Sequence, residues 1–216
     1  MIAPVPSLLL IAAWMALVLI GAVLASHRWP ERKELSRKIV HIGTGPVVLL
    51  AWWLQIPAML AVPTALLATL IALINHRWRL LPGVEDVQRF SYGTVAYGLA
   101  ISLLLILFWP HHAAVVCSGV LVMAFGDGLA GLMGRAVPSA SWSLWGQRKS
   151  VVGTLTMALV SLIVLSSLAA LTDQPVAWIT LVSISLLATA LEQLSGWGLD
   201  NLSVPITVAL CWRWLT

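Results

Sequence analysis

A run of glycines, one carboxylate and several cations at residues 125–154 has the composition of a site that handles phosphate and metal. It reads Phe-Gly-Asp-Gly-Leu-Ala-Gly-Leu-Met-Gly-Arg and, after a polar linker, Arg-Lys-Ser-Val-Val-Gly-Thr. On a helix, Asp127, Gly131 and Gly134 share one face, so a carboxylate is followed by backbone that no side chain covers. Arg135 then supplies a guanidinium fork that suits phosphate oxygens. The pattern predicts that phosphate or a metal can approach this face.

The end of the same run places cations at the start of another helix. Ser150 is a natural N-cap, Lys149 precedes it and Gly153 leaves the first turn open, so this helix N-terminus can bind an anion. The alternative is that Asp127 only pairs with Arg135 and that Ser150 only caps. An aspartate near the centre of a membrane helix costs about 2.5–3.5 kcal/mol, and less toward its edge, so the combination favours a functional site.

A third polar cluster lies where the chain enters an earlier apolar segment. It reads Arg37-Lys38-Ile39-Val40-His41, and on a helix Arg37 and His41 share a face. A cation and a titratable imidazole would then point to one place. Membrane topology alone also calls for cations at a cytoplasmic helix end, but it does not explain the histidine.

A fourth polar cluster flanks a glycine-broken segment near the end of the chain. Glu192, Asp200 and Asn201 offer oxygen ligands that can share a hard cation such as Mg²⁺, which proteins bind with one or two carboxylates plus substrate phosphates. The alternative is a polar loop in which Asp200 caps the last helix. Both interpretations stay open for Asp200, whereas Glu192 ends an apolar run and favours function.

The composition identifies the class of protein. Hydrophobic residues make up 60% of the 216 residues and charged residues only 9%, with a mean hydropathy of +0.97, whereas soluble domains are about 25% charged. The chain is therefore an integral membrane protein, and its net charge of +4 indicates membrane topology rather than nucleic-acid binding. Cys117 and Cys211 lie inside apolar runs, which indicates neither a disulfide framework nor a zinc site.

The apolar runs predict an all-α, polytopic helical bundle that forms a single transmembrane domain over residues 1–216. A span needs about 20 residues, and the runs indicate seven or eight membrane helices. No cation precedes the first run and several follow it, which predicts an uncleaved anchor with its N-terminus outside. The predicted spans are Ser7–Ala25, Ile42–Leu54, Pro57–Asn75, Gly93–Trp109, Ala113–Met133, Val151–Leu171, Pro175–Leu194 and, as a short last segment, Leu202–Leu215.

The charges between these runs predict which side faces the cytoplasm. Eleven of the twelve lysines and arginines fall in three segments, 26–41, 76–91 and 135–149, which lie on one side of an N-out bundle. Seven of the eight carboxylates fall on or near that side. With no organellar targeting segment evident, we expect a multi-pass protein of a bacterial inner (cytoplasmic) membrane whose active site faces the cytoplasm.

These motifs, in this order, resemble the membrane polyprenol kinase family. That family includes dolichol, phytol and farnesol kinases and a CTP-dependent diacylglycerol kinase, and it is distantly similar to phosphatidate cytidylyltransferase. The sequence departs from the family where Ala136-Val137-Pro138 follows the Gly-Arg pair and where no proline closely follows Glu192. The resemblance covers about residues 36–205 and rests on Arg37-Lys38-x-x-His41, Gly126-Asp127-Gly128-x-Ala130-x-x-x-Gly134-Arg135, Lys149-Ser150-x-x-Gly153, Glu192 and Asp200-Asn201-x-x-x-Pro205.

The resemblance implies transfer of the γ-phosphoryl group of a nucleoside triphosphate, typically CTP, to the hydroxyl of a membrane isoprenoid alcohol or a similar lipid. The expected catalytic residues are Asp127, His41 and Lys149, with His41 or a carboxylate taking the alcohol proton. The expected Mg²⁺ ligands are Asp127, Glu192, Asp200 and Asn201. The residues expected to bind phosphate are Arg37, Lys38, Gly128, Gly131, Gly134, Arg135, Lys149, Ser150 and Gly153. Lipid chain length, nucleotide identity, general base and oligomeric state stay open at this point.

Two other functions stay open as alternatives. Cytidylyl transfer to phosphatidate would form a CDP-lipid and pyrophosphate, although the chain is short for that activity. A small membrane transporter would hold Asp127 and Glu192 near the membrane midplane within broken helices. Here the carboxylates are predicted to cluster at one membrane edge, which favours the kinase.

Overall fold

The computed structural model describes residues 4–78 and 92–216, and it is 80% helical. The predicted all-α class is confirmed, while residues 79–91 of the predicted cytoplasmic segment 76–91 lie outside the described residues. The helices of the described part are α1 (Pro4–Arg28), α2 (Lys33–Thr44), α3 (Pro46–Trp53), α4 (Ala58–Trp78), α5 (Gly93–Phe108), α6 (Ala113–Leu121), α7 (Gly128–Ala136), α8 (Val151–Leu171), α9 (Trp178–Leu194) and α10 (Asp200–Leu215).

Four of the described helical segments are long and apolar enough to cross a membrane. They are α1, α4, α8 and the continuous segment Ala113–Ala136, while α5 and α9 are apolar but shorter. With α5 and α9 the described part has six such helices, so the predicted seven or eight spans are reached only if α10 or the pair α2 and α3 also crosses. The second predicted span differs most from the structure, because helix α2 begins at Lys33 and α3 starts anew at Pro46, where proline is favoured in a first turn.

The segment Ala113–Ala136 forms the centre of the bundle. In the most apolar 18 residues of this segment 83% are buried, whereas the corresponding share is 17% in α1, 17% in α4 and 28% in α8. A Cβ atom on Gly119 would lie 2.2 Å from the carbonyl oxygen of Pro205, so glycine allows α10 to approach closely. Between α6 and α7 the segment passes through a π-helical turn, Val122–Asp127, a distortion that recurs at functional sites.

A β-hairpin replaces the polar linker predicted between the fifth and sixth spans. Strand β1 (Ser141–Leu144) pairs with β2 (Gln147–Ser150) in antiparallel register. Trp145 and Gly146 join the strands with φ angles of +52° and +72°, as the type I′ two-residue hairpin turn requires. The hairpin leads directly into α8, where the Ser150 side chain accepts a hydrogen bond from the Gly153 N–H at 3.2 Å. The predicted N-cap is therefore present.

Candidate active site

A polar cavity of about 410 Å³ lies among α2, α7, the hairpin, the start of α8 and the facing ends of α9 and α10. Of the fourteen residues predicted from the sequence for the site, the structure brings twelve to this cavity. Gly128 and His41 do not line it. The twelve that do are Arg37, Lys38, Asp127, Gly131, Gly134, Arg135, Lys149, Ser150, Gly153, Glu192, Asp200 and Asn201.

Three buried carboxylates form a candidate metal-binding cluster at this cavity. One oxygen from each of Asp127, Glu192 and Asp200 lies within 4.8 Å of the other two. Within the part of the chain that the structure describes, Asp200 Oδ1 and Asn201 Oδ1 are buried without a hydrogen-bond partner. Such atoms are costly unless a ligand satisfies them, and oxygen atoms are the ligands of hard cations. The donor set therefore fits Mg²⁺.

Two residues of α2 hold Asp127. Lys38 Nζ donates to Asp127 Oδ2 at 2.6 Å and to the Asp127 carbonyl oxygen at 3.1 Å. His41 Nε2 lies 3.2 Å from the same Oδ2 and 3.2 Å from the Met123 carbonyl oxygen. Because a carboxylate and a carbonyl can only accept, Nε2 carries a hydrogen. When the ring is neutral, its lone pair therefore lies on Nδ1. The pairing of Asp127 with Arg135, considered above as an alternative, is replaced by these contacts.

The hairpin carries Lys149 to Glu192. Trp145 at the hairpin turn donates its indole N–H to the Leu194 carbonyl oxygen at 3.2 Å, which docks the turn on the end of α9. Lys149 Nζ donates to the Glu192 carbonyl oxygen at 2.8 Å and forms an ion pair with Glu192 Oε1. Gln193 Nε2 donates to the other carboxylate oxygen at 2.6 Å. Lys149 and Glu192 are both buried, so the lysine compensates a charge of the carboxylate cluster.

Glu34 is a site residue that the sequence prediction omitted. It accepts a hydrogen bond from Arg37 Nη2 at 2.8 Å and forms an ion pair with Arg135 Nη2 at 3.0 Å, so one carboxylate fixes two arginines at the cavity wall. Burial alone would raise the pKa of Glu34, but Arg37 and Arg135 outweigh burial and lower that pKa from 4.5 to about 2. The available signal was its spacing of three residues from Arg37, which places both on one helix face.

The glycines of α7 allow close helix packing. A Cβ on Gly134 would lie 2.7 Å from Ser150 Oγ and 3.3 Å from the Cα of Gly153, so α7 rests on the start of α8. A Cβ on Gly128 would lie 2.3 Å from a side-chain carbon of Ile42, so Gly128 packs against α2. The backbone at Gly134 is thus only partly bare, because the Ser150 hydroxyl covers it.

A second cavity, of about 430 Å³ and apolar, adjoins the first. Arg37 and Thr94 line both cavities. His41 lines the apolar cavity, with its ring 4.5 Å from that of Tyr97, whereas Asp127, its contact, lines the polar one. The contact between His41 and Asp127 therefore lies in the wall between an apolar and a charged compartment.

Comparison with known proteins identifies the family. The chain is 40% identical over 207 residues to a phytol kinase of Synechocystis sp., covering 93% of this chain and 88% of the relative. It is 26% identical to a probable phytol kinase 2 of Glycine max, covering 94% and 73% of the two chains, and 27% identical to phytol kinase 1 of Arabidopsis thaliana, covering 83% and 66%. No family profile and no solved structure matches the chain. With this identity over nearly its whole length, the chain belongs to the polyprenol and phytol kinase family.

Proposed function

We propose that the protein is a lipid kinase that transfers the γ-phosphoryl group of CTP to the hydroxyl of a membrane isoprenoid alcohol. One observation carries the proposal: a cavity with a carboxylate cluster and several cations shares a wall with an apolar cavity. Two such compartments suit a charged donor and an apolar acceptor. The relatives' names support an isoprenoid alcohol as the acceptor, and CTP is the donor that the resemblance to polyprenol kinases implies.

The polar cavity would hold the nucleotide and its metal ion. Phosphoryl transfer depends mainly on positioning and on neutralising charge. Arg37, Arg135 and the N-terminus of α8 at Ser150 are the groups that would bind the triphosphate. A bound Mg²⁺ would neutralise the negative charge that develops on the phosphoryl oxygens. Its ligands would be Asp127, Glu192, Asp200 and Asn201.

The acceptor hydroxyl would reach the shared wall from the apolar side. Its oxygen forms a bond to the γ-phosphorus while the bond from that phosphorus to the β,γ-bridging oxygen breaks, and CDP leaves. His41 is the candidate for the general base, because its Nε2 is occupied by Asp127 and Met123 and its Nδ1 can accept the hydroxyl proton. Asp127 would then stabilise the resulting imidazolium.

The charge distribution supports a cytoplasmic orientation of the polar cavity. The cations that line it come from α2, α7 and β2, and cytoplasmic segments are the ones enriched in lysine and arginine. With the N-terminus outside, the protein would be a multi-pass enzyme of the cytoplasmic membrane. After replacement of Cys117 and Cys211, the single substitutions Arg148→Cys and Asp173→Cys should react with a membrane-impermeant thiol reagent from opposite sides of sealed vesicles.

The decisive experiment follows the label of radioactive CTP. Purified protein in lipid nanodiscs receives Mg²⁺, an isoprenoid alcohol and CTP labelled in either the α- or the γ-phosphate. A kinase puts only the γ-label into the lipid, whereas a cytidylyltransferase acting on phosphatidate puts the α-label there. Transport of a solute into liposomes without CTP consumption would instead support the transporter. Failure of the γ-label to enter any alcohol would refute the proposal.

A further inference from the structure

The apolar cavity extends along one face of α4. Four alanines of that helix, Ala61, Ala65, Ala68 and Ala72, all line it. Their spacing of four, three and four residues keeps them on one side of the helix. Alanine at each position leaves space that a larger side chain would fill. The cavity is therefore a groove whose floor is this alanine face.

The groove is closed on its other sides by mostly apolar residues of four neighbouring elements. Its lining comes from α1, α2, α3 and α5, with Leu8 of α1 and Ile56 of the α3–α4 connection at the end far from Asp127. Ala68 is exposed at the surface of the molecule, so the groove is open to the bilayer along part of its length. A long-chain alcohol can therefore enter sideways from the membrane.

The register of α4 against α5 sets the depth of the groove. His76 packs on Tyr92 with ring centroids 5.0 Å apart, and a Cβ on Gly98 would lie 3.2 Å from the Cα of Thr69, so the two helices run antiparallel. Thr94, which lines both cavities, thus lies opposite about position 73 of α4. At about 1.5 Å per residue, Ala61 lies roughly 18 Å deeper.

That depth corresponds to a definite hydrocarbon length. With a C–C bond of about 1.5 Å and near-tetrahedral angles, the four main-chain carbons of one isoprene unit extend about 5 Å. A chain of about four isoprene units therefore reaches Ala61. Building on the proposed function, we propose that this groove holds the chain of the acceptor alcohol and that the alanine face of α4 sets the longest chain accepted. Ala65, roughly 12 Å deep, then marks the end of two to three units.

The test is a leucine series on this face, with the protein in nanodiscs and three alcohols of two, three and four isoprene units (geraniol, farnesol and geranylgeraniol). Ala61→Leu should lower kcat/KM at least about tenfold for the four-unit alcohol and leave the two shorter ones unchanged. Ala65→Leu should lower kcat/KM for the three-unit alcohol as well and leave kcat/KM for the two-unit alcohol unchanged. Retained activity on the short alcohol shows in each case that the variant is folded.

The control is Ala16→Leu, which adds the same bulk to an exposed position of α1 that does not line the groove. It should keep the chain-length profile of the unaltered protein. If the leucine variants keep the chain-length profile of the unaltered protein, this inference is overturned while the proposed function stands, since the groove would then hold only a bilayer lipid. Absence of phosphoryl transfer to any alcohol by the unaltered protein would overturn the proposed function and this inference together.

Discussion

The buried ion pair between Lys38 and Asp127 allows the structural and chemical roles of the site to be separated. The two charges lie 2.6 Å apart with side chains only 4% and 11% exposed. At an effective dielectric constant near 20 their attraction is about 6 kcal/mol before desolvation is subtracted. Removing one partner of a buried pair leaves the other charge unpaired and costs about 3–5 kcal/mol. Asp127→Asn and Lys38→Met should each lower the melting temperature by roughly 6–20 °C for a chain of this length.

The double variant Lys38→Met/Asp127→Asn removes both charges, so we expect it to recover most of the lost stability. It should still form no lipid phosphate, because the Asp127 carboxylate is proposed to hold the metal. Thermal unfolding in detergent and γ-label incorporation in nanodiscs measure the two effects. Glu31→Gln is the matched control, since among the described residues Glu31 makes only an exposed contact with Arg32 at 3.9 Å, and the substitution should change neither. Recovery of activity in the double variant would refute the role of Asp127 as a metal ligand.

Three further predictions address individual groups. Removal of divalent cations with a chelator should abolish lipid phosphate formation, and added Mg²⁺ should restore it. Asp200→Asn should raise the Mg²⁺ concentration for half-maximal activity at least about tenfold. An unchanged Mg²⁺ titration would contradict the assignment of Asp200. His41→Gln should lower kcat by about 10²–10⁴-fold with the KM for CTP nearly unchanged, and steady-state kinetics showing a KM effect alone would argue against a general base. Because Arg37 and Arg135 lower the pKa of Glu34 to about 2, their pairs stabilise the protein above pH 4.5 and this stability is lost as the pH falls toward 2. Melting temperatures across this range should fall more for the unaltered protein than for Glu34→Gln, and parallel curves would contradict the pairing.

Local features of the sequence were sufficient to predict the helical class and twelve residues of the polar cavity lining. Long apolar runs predict helices because in lipid the backbone N–H and C=O groups must hydrogen-bond to one another. Helix α8 has the predicted bounds, Val151–Leu171. The N-cap at Ser150 is likewise a contact between near neighbours. The spacing rule that relates Glu34 to Arg37 is equally local, and applying it to α2 would have added Glu34 to the site.

Contacts between distant segments were decided only by the tertiary structure. Lys38 and Asp127 are 89 residues apart, and Lys149 and Glu192 are 43 apart; the spacing of charges along a chain does not encode which helices will pack together. Lys38 and Lys149 were predicted to bind phosphate, and the structure shows that each also compensates a buried carboxylate. The glycines of α7, predicted to leave bare backbone, permit the close approach of α2 and α8.

The run from Phe125 to Thr154 shows most clearly which features the sequence predicts and which only the tertiary structure decides. Its residue types and short spacings, which are local properties, predicted that a carboxylate, cations and a helix start lie together. The charges of the other segments predicted that they lie at one membrane edge. Its folding into a π-helical turn, a helix and a hairpin, and the docking of that hairpin on α9, depend on surfaces supplied by other helices. The depth of the apolar groove belongs to the same class, since it follows from the register of α4 against α5, and an apolar sequence carries no code for that register.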